Sequence, residues 1–210
     1  MTLNKEQLAK QINKSSRSMV DFNHLIWLMD YVESNEVKVF VEVGVAKGGV
    51  LALVAKIKPN TKVFGLDSWE GMPEITKEDN QAYKKFEGVS WSTMNDVYDT
   101  FKSINASSDN LKLIKGYCEE TIPKNISILN NIDILRIDID WYKGTKFCLE
   151  KLYNNVNPGG LIIIDDYHWN VGCKQAVDGF LQSIDNKPII HKCPSYENRD
   201  FGPIHFFKNK

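Results

Sequence analysis

Apolar residues along this chain fall into two alternating spacings, and the alternation predicts a layered α/β architecture. Residues 37–43 form a valine-rich run that ends at Gly44, as a buried parallel strand does before a tight turn. Positions 50, 51, 53, 54, 55 and 57 then carry apolar side chains at helical spacing, and Pro59 closes that helix. The same unit recurs. Residues 62–67, 111–116, 132–138 and 161–166 read as further strands, with helices predicted near 93–104, 144–155 and 171–184. The interval 68–109 is long for a connection between consecutive strands, and it is expected to carry a lid.

After residue 184 the pattern changes. The runs 188–192 and 204–208 have no helix between them, only a polar stretch with Pro194, Gly202 and Pro203, which suits an antiparallel pair at a sheet edge. The expected fold is therefore a single doubly wound α/β domain over residues 1–210. Its sheet has seven strands, mostly parallel, with an antiparallel C-terminal strand pair, and a helical segment at 1–36 precedes it. In that segment Leu3, Leu8, Ile12, Met19, Leu25, Ile26 and Leu28 give an amphipathic face that could act as a lid or as a homo-oligomer contact.

Charge narrows the class of partner. Lysine and arginine number 26 against 27 aspartates and glutamates, and a net charge of -1 offers no field to collect nucleic acid or an anionic membrane. A small molecule is the expected partner. Cys118, Cys148, Cys173 and Cys193 are dispersed without a C-x-x-C pair and read as reduced packing residues. No stretch has the character of a signal peptide or a transmembrane helix, so a cytoplasmic location is expected.

Candidate chemistry sits where the strands end. Glu42-Val-Gly-Val-Ala-Lys-Gly-Gly49 follows a strand and opens a helix, so Gly44 can bring backbone N–H groups close to a ligand; a structural tight turn would need the same glycine. Its spacing is not the G-x-G-x-x-G of nicotinamide enzymes. Glu42 and Asp67 lie near the ends of the first two strands, where acidic side chains accept ribose hydroxyls, and an N-cap is the alternative for Asp67. Asp138 ends the fourth strand and Asp165-Asp166 the fifth. Carboxylates crowded at one sheet edge repel unless a cation neutralises them, which makes these three an oxygen-rich site for a hard divalent ion; exposed loop aspartates are the plainer reading. Asp140 could take a proton from a hydroxyl held there, or cap a helix. His168 is a second candidate base, or a hydrogen-bonding residue at the rim. His24, His191 and His205 read as structural. Trp69, Trp91, Trp141 and Trp169 fall in or near loops at the carboxyl edge, able to stack on adenine or an acceptor, or to anchor those loops.

Over residues 39–180 the sequence resembles the macrocin O-methyltransferase family, enzymes that methylate sugar hydroxyls of bacterial natural products. The resemblance is carried by Glu42-Val-Gly-Val-Ala-Lys-Gly-Gly49, Leu66-Asp-Ser-Trp-Glu-Gly-Met-Pro73, Lys115-Gly-Tyr-Cys-Glu-Glu-Thr-Ile-Pro123, Arg136-Ile-Asp-Ile-Asp-Trp-Tyr142, Pro158-Gly-Gly-Leu-Ile-Ile-Ile-Asp-Asp-Tyr167 and Gly172-Cys-Lys-Gln-Ala-Val-Asp178. It implies a class I methyltransferase fold, S-adenosylmethionine as methyl donor, and Mg2+ (or Mn2+) on Asp138, Asp165 and Asp166. Asp140 matches the general base. Glu42, Gly44, Asp67 and Ser68 match cofactor contacts, and Gly116, Tyr117 and Cys118 fall in the block near the adenine. Ile139 and Lys143-Gly144-Thr145 depart from the family's usual glycine and serine or threonine pairs. The implied function is metal-dependent O-methylation of a small-molecule hydroxyl on a sugar or other vicinal diol. A metal-dependent hydroxylase-like relative on the same fold, and a non-catalytic cofactor-binding domain, stay open at this point.

Overall fold

The computed structural model describes residues 4–16, 20–194 and 202–209. Strands β1 (Val39–Val43), β2 (Lys62–Asp67), β3 (Leu111–Lys115), β4 (Ile132–Ile137) and β5 (Val156–Ile164) run parallel, and β6 (His191–Lys192) and β7 (Ile204–Phe207) complete a seven-stranded sheet. The order is β3-β2-β1-β4-β5-β7-β6, with β7 antiparallel to both β5 and β6. Strand order reverses between β1 and β4, the place where open sheets leave a crevice at their carboxyl edge.

Helices cover both faces, which is why the central strands are mostly apolar. α1 (Lys5–Ser16), α2 (Phe22–Ser34), α3 (Gly49–Ile57) and α4 (Met94–Ser103) pack over Phe40, Ile134, Leu161 and Ile163. α5 (Cys118–Asn125), α6 (Tyr142–Leu152) and α7 (Val171–Ser183) pack over Val41, Leu135, Ile137 and Ile162. In the N-terminal stripe, Leu8, Ile12, Leu25 and Leu28 are buried in the first of these cores, Ile26 is half-buried, and Leu3 and Met19 lie outside the described residues. The four cysteines are free thiols, and no helix among the described residues is long and apolar enough to cross a membrane.

Three elements differ from the pattern-based expectation. β5 starts at Val156, ahead of its apolar run, because Gly159 N donates to Lys208 O at 2.8 Å and Lys208 N donates to Gly160 O at 2.9 Å, drawing Pro158-Gly159-Gly160 into the sheet. α5 has only Thr121 and Ile122 buried, too narrow a stripe to announce a helix, and contains Pro123. The run 188–192 pairs only at its last two residues, with Ile189 exposed at the sheet edge. The interval 68–109 divides in two. A capping box between Thr93 and Asp96 starts α4, whose Val97 and Phe101 enter the core, while 68–93 leaves the carboxyl end of β2 as irregular chain with a 3-10 turn at Gln81–Phe86.

Candidate functional site

Register decides which side chains meet at the carboxyl edge. Glu42 pairs with Arg136 and Arg136 with Ile163, and the ladder runs one residue past the strand ends: Asp138 N donates to Val43 O at 2.8 Å, Asp165 N to Ile137 O at 3.0 Å. Because side chains alternate faces with period two, Glu42, Arg136, Asp138 and Asp165 project to the same side, that of α2 and α3. Arg136 is 1% exposed. Its Nη1 donates to Glu42 Oε1 and to Asp138 Oδ2, each at 2.6 Å, and its Nη2 donates to Asp165 Oδ1.

The acidic cluster extends beyond Arg136. Asp138, Asp165 and Asp166 each offer an oxygen lying within 4.8 Å of the others. Asp140 has φ +59° and its N–H donates to Asp166 Oδ2 at 3.1 Å. Burial, against the pull of Arg136, pushes the Asp138 carboxyl well above the usual carboxylate range. Burial and the nearby Asp140 and Asp138 do the same to Asp166, and burial with Asp165 lifts Asp140 to about 6. Glu42 is lifted by burial to about 7, and its Oε2 is buried with no hydrogen-bond partner among the described residues. One guanidinium thus faces more carboxylates than it can neutralise. A donor set made wholly of carboxylate oxygens, short of positive charge among the described residues, fits a hard divalent cation.

The residues expected at the cofactor meet at the corner formed by the ends of β1, β2 and β3. Gly44 has φ +86°, and a Cβ there would stand 1.7 Å from the Asp138 carbonyl oxygen, so the backbone just past β4 already requires this glycine. Asp67 Oδ2 accepts from Val45 N at 2.8 Å and Ala46 N at 2.9 Å, and Oδ1 accepts from Trp69 N at 2.8 Å. Its carboxylate therefore shapes the glycine turn from the next strand. Ser68 Oγ donates to Gly71 O at 3.1 Å, Gly116 N donates to Asp67 O at 2.9 Å, and the Tyr117 hydroxyl donates to Gly71 O at 3.4 Å. Cys118, at the start of α5, turns its thiol to Glu119 at 3.2 Å. His168 sits in the turn after Asp166 with its ring edge-on to Tyr167, centroids 4.9 Å apart. Trp69 and Trp141 are buried, whereas Trp91 and Trp169 are exposed.

Sequence reasoning missed two residues. Arg136 reads as an interruption in an apolar strand, although a basic residue in a doubly covered strand is itself a signal that counter-charges must be near. Asp79 lies in polar irregular chain, yet it is buried and its Oδ1 accepts from Tyr142 N at 2.8 Å, at the start of the helix after Asp140. Nothing in the local sequence marks it.

This arrangement can be set beside known proteins. Residues 8–191 match the family described as macrocin O-methyltransferase (TylF). Demethyldecarbamoylnovobiocin O-methyltransferase of Streptomyces niveus is 26% identical over 166 residues, covering 74% of this chain and 63% of that protein. The 8-demethyl-8-(2,3-dimethoxy-alpha-L-rhamnosyl)-tetracenomycin-C 4'-O-methyltransferase of Streptomyces olivaceus is 29% identical over 150 residues, 67% of this chain and 56% of that protein. The chain thus spans less than two thirds of either relative's length. Among solved structures, the O-methyltransferase NovP shares the fold with a TM-score of 0.77 at 24% identity, over 92% of this chain and 82% of NovP. The family match runs from α1 to β6 and takes in every strand end just described, and on that extent the chain belongs to the macrocin O-methyltransferase family.

Proposed function

We propose that this chain transfers the methyl group of S-adenosylmethionine to a hydroxyl of a sugar carried by a natural product, with magnesium or manganese held by Asp138, Asp165 and Asp166. The observation that carries the proposal is the meeting of these three carboxylates within 4.8 Å beside Asp140. Family membership supports methyl transfer, and relatives named for demethyldecarbamoylnovobiocin and a rhamnosyl tetracenomycin support the acceptor class. When bound, the donor supplies an electrophilic methyl on a sulfonium and the cation supplies charge that favours loss of a hydroxyl proton.

The chain's own residues bind, orient and accept the proton. Asp67 fixes the Val45 and Ala46 N–H groups, and with them the turn on which the donor would rest. Arg136 orients Asp138 and Asp165 from below. Methylation of a hydroxyl releases one proton, and Asp140, lifted to about 6 chiefly by burial, has the affinity to hold it near neutral pH. His168 is the alternative base; the hydrogen bond from Asp140 N to Asp166 Oδ2 supports the reading of Asp140 as the base.

One observation favours a metal-free version of the same reaction: Arg136 already ion-pairs with two of the three proposed ligands. Against it, neither Asp140 nor Asp166 has a cationic partner among the described residues. Calorimetric titration of magnesium into chelator-treated protein separates the two. Saturable binding is expected for the metal site, weakened in Asp138→Asn by at least the roughly 10-fold to 100-fold that loss of a ligand's hydrogen-bonding partner costs. Undetectable binding with full methyl transfer after chelation would leave only the metal-free version.

A further inference from the structure

α6 begins without a cap of its own. Its N-cap is Trp141, which makes no side-chain cap hydrogen bond, and its first turn carries no acidic residue. The acceptor comes from the irregular segment 68–93 instead. Asp79, 4% exposed, takes the Tyr142 N–H at 2.8 Å on Oδ1, and the N–H and hydroxyl of Thr76, each at 2.9 Å, on Oδ2. A carboxylate there satisfies an orphan donor and complements the helix dipole. The start of α7 is shaped to admit it: a Cβ on Gly172 would lie 1.9 Å from Asp79 Oδ1. The same segment stacks Tyr83 on Trp141, with centroids 5.7 Å apart and planes 26° apart. Trp141 follows Asp140, whose φ of +59° L residues seldom adopt without support.

We infer that Asp79 is a positioning residue for methyl transfer, capping α6 from the insertion so that the Asp140–Trp141 corner and the segment 68–93 are held as one unit. The inference rests on the proposal that Asp140 is the base. Asp79 itself touches no reacting group. Its removal frees the first turn of α6 and the loop together, and the expected loss is in turnover, because misplacing a catalytic group by about 1 Å can cost as much as 10²-fold.

Three variants of the full chain test this: Asp79→Ala, Asp79→Asn, and Gly172→Ala, which keeps the carboxylate but displaces it. Amide hydrogen exchange at Tyr142 and Thr76 should quicken by about tenfold in Asp79→Ala and Gly172→Ala, while the amides of β1 and β4 keep their protection. Measured well below the melting temperature, kcat should fall about 10-fold to 100-fold in both variants, with KM for S-adenosylmethionine almost unchanged. Asp79→Asn should lie between them and wild type, since one acceptor oxygen remains. A purely structural role would lower the melting temperature and leave kcat per folded molecule intact. Unchanged exchange at Tyr142 in Asp79→Ala, or quickened exchange with kcat retained, would overturn the inference. Failure of wild type to transfer methyl groups would instead overturn the proposed function, with exchange at Tyr142 and Thr76 still deciding whether Asp79 holds the corner.

Discussion

Replacing Arg136 by methionine removes the guanidinium that, among the described residues, ion-pairs with Glu42, Asp138 and Asp165, while keeping an unbranched apolar stem of similar reach. Arg136 and Glu42 have side chains 1% and 2% exposed, so neither charge has water to fall back on. Even with the guanidinium present, burial raises the Glu42 carboxyl from 4.5 to about 7. A carboxyl whose folded pKa lies above its unfolded value favours the folded state less as pH climbs between the two, and here that cost reaches about 3 kcal/mol above pH 7. In Arg136→Met the Glu42 pKa rises further and the penalty extends to higher pH, while Asp138 and Asp165 lose their partner as well. Breaking a buried ion pair by deleting one member typically costs about 3–5 kcal/mol, a large share of a total stability of about 5–15 kcal/mol. Urea unfolding followed by circular dichroism without added metal would measure the loss, which should widen from about pH 6 to about pH 8, roughly one unit either side of neutrality. The double variant Arg136→Met/Glu42→Gln should recover part of it at the higher pH. A loss below about 1 kcal/mol, the range of an exposed pair, or a loss that shrinks as pH rises, would refute the reasoning.

His24 is fully buried, neither ring nitrogen has a hydrogen-bond partner among the described residues, and burial lowers its pKa from 6.5 to about 4. The neutral ring is favoured in the fold, so its contribution is intact above pH 6.5 and should decline by about 3 kcal/mol as pH falls to 4; a wild-type pH profile that parallels that of His24→Phe over this window would count against it. Gly44→Ala combines a φ of +86° with a Cβ 1.7 Å from the Asp138 carbonyl oxygen. It should cost roughly 3 kcal/mol or more in thermal unfolding, whereas Gly159→Ala, at φ +78° with open space around it, should cost only about 1 kcal/mol. Equal losses for the two would show that the approach to Asp138 is not what demands the glycine.

Much of this site is legible in the sequence because it is built at strand ends. The runs at 62–67 and 132–138 are mostly apolar and close on an acidic residue, so their ends, Asp67 and Asp138, fall within a residue of where the pattern puts them. Parallel register then brings Asp138 and Asp165 side by side without any further information. The roles of Glu42 and Asp67 were harder to read. Strand-end position suggests ligand contacts for both; the fold adds that Glu42 pairs with Arg136 and Asp67 binds turn N–H groups, interactions that depend on neighbouring strands rather than on local spacing. Asp79 was invisible for the same reason, since its partner Tyr142 is remote in sequence. α5 escaped because a helix with two buried positions has too little periodic signal to stand out from a loop.

The most direct test of the central claim is methyl transfer itself. Purified protein would be incubated with isotopically labelled S-adenosylmethionine, magnesium and a panel of glycosylated natural products bearing vicinal sugar hydroxyls, with the label located by mass spectrometry. Wild type should place the label on a sugar oxygen, chelator should abolish transfer, and Asp140→Asn should bind S-adenosylhomocysteine normally yet lose about 10²-fold to 10⁴-fold in turnover. Undiminished transfer by Asp140→Asn, or a wild-type protein that binds the donor and labels none of the sugar-bearing acceptors, would contradict the account.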